Sequence, residues 1–452
     1  MMNFVLAIIA FNLFLYRKAV TFGLVVDDWS HYQNIKNGLF KKDGPWWVHI
    51  SRRLYGGGTF GLDVARDHLV TLILHIVNCL MIFGAFGSNA VSFMAALLYA
   101  AHPANHQTAV WLNGRRYAIN VFLVLAMLLI GPAGLILWPL TGILQESAIL
   151  APIIFGPWGC LLIPCACFVL RKHMRQKYLD RLEKILSPDV RNWSVKRLIV
   201  VVKCYGFYVR RMLFPGRTLF VYPQLNSWGN TIEGNKDAYA FNFDFWQGVA
   251  FLGGSVIGIA FAGEYRWMAL FAMLGTLQWC AFFPGVQTLA DRYIALPNVF
   301  VMFFVAHLPA PIALALLGYY VANLTVTLRM YRDLDALWDY HTYFYPENVV
   351  LRHGQALQLF QRGDVLGAWE ATRKGLEKNP NDFRMLYNAA LCCHMMGDNN
   401  MAKSYIDRAS ENLYIGQEKD LMQAIENFRE KTAPPKKKPS NGRRPFYMGV
   451  KR

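Results

Sequence analysis

The sequence predicts an all-α fold: a polytopic membrane helix bundle of about eleven spans, followed by a soluble helical-repeat domain. The 452 residues are 55% hydrophobic and only 17% charged, which is too apolar for an ordinary soluble domain. Apolar runs suited to a bilayer core of about 30 Å recur up to residue 330, and mixed polar sequence follows. The predicted domains are a membrane domain (1–330), a repeat domain (331–430) and a disordered basic tail (431–452).

The predicted spans are short, and several are divided by proline, which is tolerated where neighbouring helices satisfy the freed backbone groups. An alternative for the first run, a cleaved signal peptide, lacks a basic start and a small-residue cleavage site, so an uncleaved span is predicted. The spans are 2–16, 69–87, 89–101, 117–131, 133–148, 149–170, 196–214, 245–263, 267–283, 294–308 and 310–328.

The longest basic loop sets the predicted orientation. Residues 171–197 carry nine Lys or Arg and are predicted to be cytoplasmic. Counting spans from there puts the N-terminus in the cytoplasm, and the aromatic-rich loop 17–68 and the repeat domain outside. Three arginine pairs would lie near the predicted outer face: Arg52-Arg53, Arg115-Arg116 and Arg210-Arg211. They leave two alternatives: the topology is reversed, or the arginines serve an anionic ligand, which is the favoured interpretation.

Residues 349–416 contain an internal repeat. Three residues recur at an offset of 34: Gly363 as Gly397, Asp364 as Asp398, and Ala368 as Ala402. That period, with Pro380 closing the first unit, is typical of tetratricopeptide repeats, here about 349–382 and 383–416. Helices at 331–345 and 417–430 are predicted to cap the pair.

The net charge of +17 is uneven, with much of it in residues 171–197 and 436–452. In a membrane protein, basic loops more often set topology or contact lipid headgroups than bind nucleic acid, so no nucleic-acid partner is expected. The eight cysteines show neither a disulfide framework nor metal spacing, and no metal site is predicted from them.

Two adjacent carboxylates, Asp27 and Asp28, follow the first span. The plain interpretation is that aspartates are common where a helix meets water. At the root of an aromatic outer loop, however, they can also take a proton from an attacking hydroxyl or position a divalent cation. General base catalysis of that kind is worth about 10²–10⁴ in rate.

Arginines form a second group of candidates. Arg115 and Arg116 precede a predicted span, where the guanidinium fork and free helix amides suit a phosphate. Contact with lipid headgroups explains such a pair equally well. Asp291 and Arg292 either form a local ion pair, or Arg292 binds a donor phosphate.

Two further polar positions lie in apolar surroundings. Glu146 is functional by default if it lies within the membrane, but a short outer turn is the alternative. His75 and Asn78, one helical turn apart, are more typical of interhelical hydrogen bonds than of a ligand site.

Taken in order, these features resemble one family, the transmembrane and tetratricopeptide-repeat-containing O-mannosyltransferase-like proteins of the GT-C superfamily. The shared pattern includes the Asp27-Asp28 pair, a His-rich second span, LLYAAHP followed by VWLNGRR, an ADRY segment near Leu-Pro, and the repeats. The family's Lys-Glu is Gln145-Glu146 here, and its Tyr-Leu-Tyr-Leu-Pro run is Tyr293-Ile-Ala-Leu-Pro297. The short repeat domain looks like that of a bacterial or phage-borne relative.

The resemblance implies a GT-C-type enzyme that moves a monosaccharide from a polyprenyl-phosphate donor to a hydroxyl on an extracytoplasmic protein, with inversion. It implies Asp27 as the base and Asp28 as a residue that orients it or helps bind a divalent cation. No other cofactor is implied, and the repeats would hold the acceptor. Three residues are assigned to the donor phosphate: Arg115, Arg116 and Arg292. Five are assigned to the pocket: His102, Glu146, Asp291, Arg53 and His75.

The implied location is a bacterial inner membrane, or the endoplasmic reticulum membrane in a eukaryote. Two other functions stay open: a transferase that modifies lipopolysaccharide or a pilus glycan, and a non-enzymatic membrane-anchored repeat scaffold. A transporter is less consistent, because no internal duplication of the membrane half is apparent.

Overall fold

The computed structural model describes residues 1–25, 28, 63–138, 150–162, 194–216, 218–220, 222, 240–281, 289–346 and 348–412. All regular secondary structure within these ranges is helical, which confirms the predicted all-α class. The chain forms two compact units, Met1–Pro346 and Glu347–Arg452.

The first unit contains twelve α-helices among its described residues: α1 (Met2–Leu15), α2 (Val64–Ala85), α3 (Ala90–Ala101), α4 (His106–Ala109), α5 (Arg115–Ile130), α6 (Pro157–Cys160), α7 (Val195–Leu213), α8 (Phe243–Phe261), α9 (Arg266–Ala281), α10 (Ala295–Val305), α11 (Ala310–Thr327) and α12 (Leu334–Phe344). Short 3-10 segments extend or join several of them: Ala19–Thr21, Pro103–Asn105, Leu112–Gly114, Gly131–Leu137, Ala151–Phe155, Gly263–Tyr265, Asp291–Ile294 and Leu328–Tyr331.

Five helical stretches of the described chain are long and apolar enough to cross a membrane, which is compatible with an integral membrane location. They are Met2–Thr21, Val64–Ala85, Leu112–Leu137, Phe243–Phe261 and Ala310–Tyr331. Ala90–Ala101 is apolar but shorter. The count of about eleven spans remains a prediction. Three of the predicted spans, 133–148, 149–170 and 267–283, lie partly outside the described residues.

Helix α2 carries polar groups into the bundle. Asp63 caps its N-terminus by accepting a hydrogen bond from the Arg66 N–H at 3.1 Å, which satisfies one of the free amides of the first turn. Its buried positions recur every three or four residues: His68, Thr71, Leu72, His75, Asn78, Cys79 and Ile82. This spacing presents one polar-lined face to α1, α3 and α5.

Helix α3 lies at the centre of the first unit. It begins with a capping box between Asn89 and Ser92 and packs against α1, α2, α10 and α11. Its buried face is rich in alanine: Ala95, Ala96, Ala100 and Ala101. Small side chains let neighbouring helices approach closely, and in a membrane such packing replaces the hydrophobic effect as the cause of helix association.

Helices α7 and α8 approach backbone to backbone. A Cβ added to Gly248 would lie 2.2 Å from the Val202 carbonyl oxygen, and one on Gly206 would lie 2.6 Å from Gly248 Cα. Gly254 on the same helix has nothing within 4 Å of its Cβ position. Glycine is therefore required at the α7–α8 crossing and not along the whole of α8.

Among its described residues, 348–412, the second unit contains two antiparallel helix pairs: α13 (Val349–Gln361) with α14 (Val365–Lys378), and α15 (Phe383–Met395) with α16 (Asn399–Glu411). Gly363 and Gly397 take positive φ angles of 83° and 88°, and the aspartates that follow cap α14 and α16. The 34-residue Gly-Asp repeat is thus one turn used twice. The tetratricopeptide assignment remains a prediction, and residues 417–452 lie outside the described chain.

Candidate functional site

The segment from His102 to Arg115, the 102–115 loop, connects α3 to α5, contains two of the predicted site residues and is contacted by three others, Asp28, Asp291 and Arg292. Its first turn is closed by His102, whose Nδ1 accepts from the Ala104 N–H at 3.2 Å while Nε2 lies 2.9 Å from the Met212 carbonyl oxygen. Burial lowers the pKa of His102 to about 3, so the ring is neutral and its Nε2–H donates to Met212. This predicted pocket residue fixes the loop to α7.

Asp28 is attached to the far end of the same loop. Its side chain is 4% exposed, and Oδ1 accepts a hydrogen bond from the Asn113 N–H at 3.0 Å. Gly114 follows, where an added Cβ would lie 1.7 Å from the Gln107 carbonyl oxygen. The turn that meets Asp28 therefore closes on α4 in a way that only glycine allows. Asp27, the predicted base, lies outside the described residues.

Arg115 and Arg116 open helix α5, as the sequence predicts, but their environments differ. Arg115 is buried and donates to Thr71 Oγ1 at 2.9 Å and to the Asp67 carbonyl oxygen at 2.8 Å, both on α2. Its guanidinium also lies 3.5 Å from the Asp67 carboxylate and within electrostatic range of Asp28. Arg116 is exposed and lies over the Tyr117 ring.

Arg292 approaches the 102–115 loop from the segment before α10. It is 8% exposed, and it donates through Nε to Tyr117 Oη at 3.2 Å and through Nη1 to Gln107 Oε1 at 3.1 Å. The guanidinium carbon lies 5.4 Å from the Trp111 ring centre and 4.9 Å from that of Tyr293. Neutral oxygens and aromatic faces orient this cation beside the loop.

Asp291 is wholly buried and faces a different set of groups. It accepts from Arg211 through Nη2 at 3.2 Å and Nε at 3.4 Å, and from Tyr222 Oη at 2.8 Å. The fourth contact comes from His106 Nε2, at 3.3 Å. Burial opposes ionisation, but Arg211, His106 and Tyr222 together hold the pKa of Asp291 below its usual range.

His106 connects Asp291 to Tyr331. Its Nδ1 lies 2.5 Å from Tyr331 Oη, and both side chains are wholly buried. Burial lowers the pKa of His106, although Asp291 opposes that change. Tyr331 in turn lies within electrostatic range of Asp28 as well as Asp291. Of the two carboxylates, Asp291 is the one that His106 contacts directly.

The remaining predicted site residues are not gathered at the 102–115 loop by any described contact. His75 is buried on α2 between the Tyr16 and Tyr99 rings, with centroids 5.2 Å and 5.8 Å away. Asn78 donates to the Ala118 carbonyl oxygen at 2.9 Å, the interhelical bond that its position predicts. Arg53 and Glu146 lie outside the described residues.

Sequence reasoning missed four members of the cluster: His106, Gln107, Tyr222 and Tyr331. Arg211 was predicted, with Arg210, to serve an anionic ligand, whereas in the structure it is paired with the Asp291 carboxylate. His106 and Gln107 follow His102 within the same motif, but nothing local distinguishes them from polar loop residues.

Within the described ranges, no group of three or more His, Cys, Asp or Glu is arranged to hold a metal ion. No protein-family model, curated protein or solved structure matches the chain. The arrangement of side chains around the 102–115 loop therefore has to support the functional argument by itself.

Proposed function

We propose that the protein is a membrane glycosyltransferase of the GT-C type, which moves a monosaccharide from a polyprenyl-phosphate donor to a hydroxyl on an extracytoplasmic protein. The observation that carries the proposal is the convergence of a buried carboxylate and two buried guanidiniums on one loop. Asp28 binds the loop through Asn113, Arg115 ends it, and Arg292 lies on its Trp111 ring.

The proposed reaction needs these two kinds of group at one place. The acceptor oxygen attacks the anomeric carbon, the bond from that carbon to the phosphate oxygen breaks, and the acceptor proton passes to a carboxylate. Negative charge grows on the departing phosphate, which Arg292 stabilises as a charge-assisted donor. Arg115 makes a smaller contribution, because its guanidinium is already paired with the Asp67 carboxylate. Asp27 is the proposed base, and Asp28 orients it or helps to bind a divalent cation.

The proposed topology places about eleven spans in the membrane, with the N-terminus cytoplasmic and the site on the extracytoplasmic face. The second unit would act as a tetratricopeptide-repeat domain that holds an extended acceptor, which the twice-used Gly-Asp turn supports. A bacterial inner membrane is the proposed location.

The proposal is tested by following label from polyprenyl-phosphate monosaccharides to extracytoplasmic acceptors in membrane preparations. Asp27→Asn and Asp28→Asn should each reduce transfer by about 100-fold or more, because a general base contributes about 10²–10⁴. Asp63→Asn is the matched control: it removes a carboxylate from the same region while asparagine still caps α2. Transfer that is unchanged in both Asp27→Asn and Asp28→Asn would exclude this site.

The acceptor is identified by mass spectrometry of extracytoplasmic proteins and glycans from cells with and without the gene. Loss of a sugar from serine or threonine of secreted proteins is the expected result. Loss of a sugar from lipopolysaccharide or a pilus glycan would support the proposed transfer reaction but show that the acceptor is a glycan and not a secreted protein. If the glycan profile is unchanged and the membrane preparations transfer no sugar, the protein is not a glycosyltransferase, and the membrane-anchored repeat scaffold is the function that is left.

A further inference from the structure

The exposed apolar side chains of the second unit are confined to its two Gly-Asp turns. In residues 348–412, the described part of this unit, the large apolar side chains that are exposed are Leu366, Met395, Met396 and Met401. Each lies within four residues of Gly363 or Gly397, the positive-φ glycines of the two turns. We call these four side chains the turn patch.

Both turns lie at the same end of the helices. Successive helices from α13 to α16 pack side by side and are joined by short connections, so each runs antiparallel to the one before it. The Gly363 and Gly397 turns are therefore at one end, and the connection 379–382 is at the other. That connection reads Asn-Pro-Asn-Asp and has no large apolar side chain. The exposed apolar surface thus belongs to one end of the helices.

The turn patch combines adaptable side chains with no net charge. Methionine is unbranched and flexible, so it fits an irregular surface better than a rigid side chain does. Two basic residues, Arg362 and Lys403, and two acidic ones, Asp364 and Asp398, flank the patch, and their charges cancel. Each aspartate also caps the helix that follows it. The patch therefore offers a partner apolar contact and little electrostatic attraction.

A membrane surface is within reach of this unit. Residues 332–348 separate α13 from Ala310–Tyr331, the last stretch of the described chain that is long and apolar enough to cross a membrane. Even if they were fully extended, these residues would span no more than about 60 Å. Tethering of this kind raises the effective concentration of lipid near the patch, so that weak contacts are sufficient for binding.

A protein partner suits the turn patch less well than lipid does. A stable protein interface buries about 800 Å² on each partner, which is more than four partly exposed side chains supply. Apolar side chains enter the boundary between lipid headgroups and acyl chains to a depth of about 5–10 Å, and this needs no complementary shape. The size of the patch therefore favours lipid.

We propose that the turn patch is a membrane contact: its four side chains insert into the bilayer interface and hold this end of the second unit on the lipid surface. The inference goes beyond the proposed function, and it does not depend on whether the protein transfers sugar. Because the flanking charges cancel, insertion depends on apolar contact and does not require anionic headgroups.

The test is the accessibility of nitroxide spin labels, measured by EPR power saturation on the full chain in phosphatidylcholine vesicles. Leu366→Cys and Met396→Cys carry the label at the patch, and Asn381→Cys, the matched control, carries it at the opposite end. The unmodified protein, labelled in the same way, corrects for native thiols. Oxygen dissolves in lipid, whereas a nickel chelate stays in water. The ratio of oxygen to nickel collisions should therefore be at least about 5-fold higher at the patch than at the control.

Two other results would overturn the proposal, and the same measurement distinguishes them. A patch label with the same ratio as Asn381→Cys lies in water. A patch label that neither oxygen nor the nickel chelate reaches is covered by protein, either a second copy or another part of this chain.

A triple variant separates insertion of the patch from a general closeness to the membrane. With Met395→Gln, Met396→Gln and Met401→Gln combined, the label at Leu366→Cys should fall to the ratio of the Asn381→Cys control. All three methionines are exposed, so Tm in detergent should not change. A ratio at Leu366→Cys that stays high in the triple variant would contradict insertion through the methionines.

Lipid charge provides the last check. Replacing a quarter of the phosphatidylcholine by phosphatidylglycerol should leave the ratios at both patch labels unchanged, because the charges beside the patch cancel. A high ratio that appears only in the anionic vesicles would mean that electrostatic attraction binds this end, and the proposed apolar insertion would be wrong.

Discussion

Two buried arginines of the first unit, Arg211 and Arg292, carry the same charge in different settings. Arg211 faces the Asp291 carboxylate through two nitrogens. Arg292, whose neighbour in the chain is that same aspartate, donates to the neutral oxygens of Tyr117 and Gln107 and lies on the Trp111 ring. A carboxylate cancels most of a guanidinium's charge, whereas neutral acceptors orient it without doing so.

The turn that carries Asp291 and Arg292 thus makes two different contacts with the first unit. Asp291 ties its segment to Arg211 and His106, and the next residue extends toward the 102–115 loop. We therefore propose that Arg211 serves stability and that Arg292 binds a phosphate, a division that variants of the two residues test.

The largest expected effect is on stability. Arg211→Gln leaves the Asp291 carboxylate buried without its main cationic partner, which costs about 3–5 kcal/mol. Thermal unfolding in detergent, read as Tm, should show a large decrease. Arg211→Met combined with Asp291→Leu should recover only part of it, because the unpaired buried charge is removed but His106 and Tyr222 lose their acceptor. A Tm for Arg211→Gln equal to that of the unmodified protein would contradict the assignment.

Arg292→Gln should show the opposite pattern. Loss of one preorganised donor to a developing anion typically lowers turnover by about 10²–10³. Transfer from a polyprenyl-phosphate donor should therefore decrease by about 100-fold with a much smaller change in Tm than in Arg211→Gln. Arg266→Gln, which changes an exposed arginine outside the loop, is the control. If Arg292→Gln unfolds the protein as readily as Arg211→Gln, the two arginines do not differ in role.

Acidification should reduce the stabilising contribution of the buried histidines at a higher pH than that of the Asp291–Arg211 pair. Burial lowers the pKa of His102 to about 3 and that of His341 to about 4, so both are neutral when folded and gain protons in the unfolded chain below about 6.5. Their stabilisation is complete above about pH 6.5 and decreases as the pH falls toward the folded pKa, by about 2 kcal/mol per group at pH 5.

The pKa of Asp291 is lowered from an ordinary value of 3.8, so its contribution persists above that pH and is lost only in stronger acid. Tm measured from pH 7 to 5 should decrease, and His341→Gln should reduce the slope. A flat profile over this range would contradict the burial of neutral histidines.

A smaller effect is expected at the α7–α8 crossing, which positions Arg211. Gly248→Ala forces a methyl group against the Val202 carbonyl oxygen and should cost about 1–3 kcal/mol of stability. Gly254→Ala has open space and should be neutral or slightly stabilising, since alanine favours helix. Equal Tm values for the two variants would mean that α8 does not pack on α7 as described.

The smallest effect should come from the exposed arginine of the predicted pair. Arg116→Gln removes an exposed side chain that lies over the Tyr117 ring. The free energy of unfolding should therefore change by less than about 0.5 kcal/mol, with a correspondingly small change in Tm. Arg115→Gln, by contrast, breaks bonds to Thr71 and Asp67. Equal effects of the two changes on Tm would contradict the division between them.

Features that depend on local sequence were predictable. The Gly-Asp turns of the second unit and the opening of α5 at Arg115 follow from short-range rules for positive φ angles and helix ends. The apolar runs predicted the all-α class and a membrane location. The number of spans was harder, because α9 and α10 have only 16 and 11 residues and composition does not reveal where a helix stops.

Features that depend on distant pairing were not predictable. Arg211 meets Asp291 across 80 residues, and His106 meets Tyr331 across 225. The sequence offered Arg292 as the partner of Asp291, since neighbours in the chain are the simplest pair. In the folded protein, the packing of α7 and Leu328–Tyr331 around the 102–115 loop gives Asp291 other partners than Arg292. No pattern in a single sequence encodes that packing.

The most direct measurement of the central claim is an experimental structure of the protein with a non-hydrolysable polyprenyl-phosphate sugar bound. We expect the phosphate to lie within about 4 Å of the Arg292 guanidinium, with Arg115 nearby and the anomeric carbon turned toward Asp28. A donor headgroup bound at another face of the first unit, away from the 102–115 loop, would contradict it.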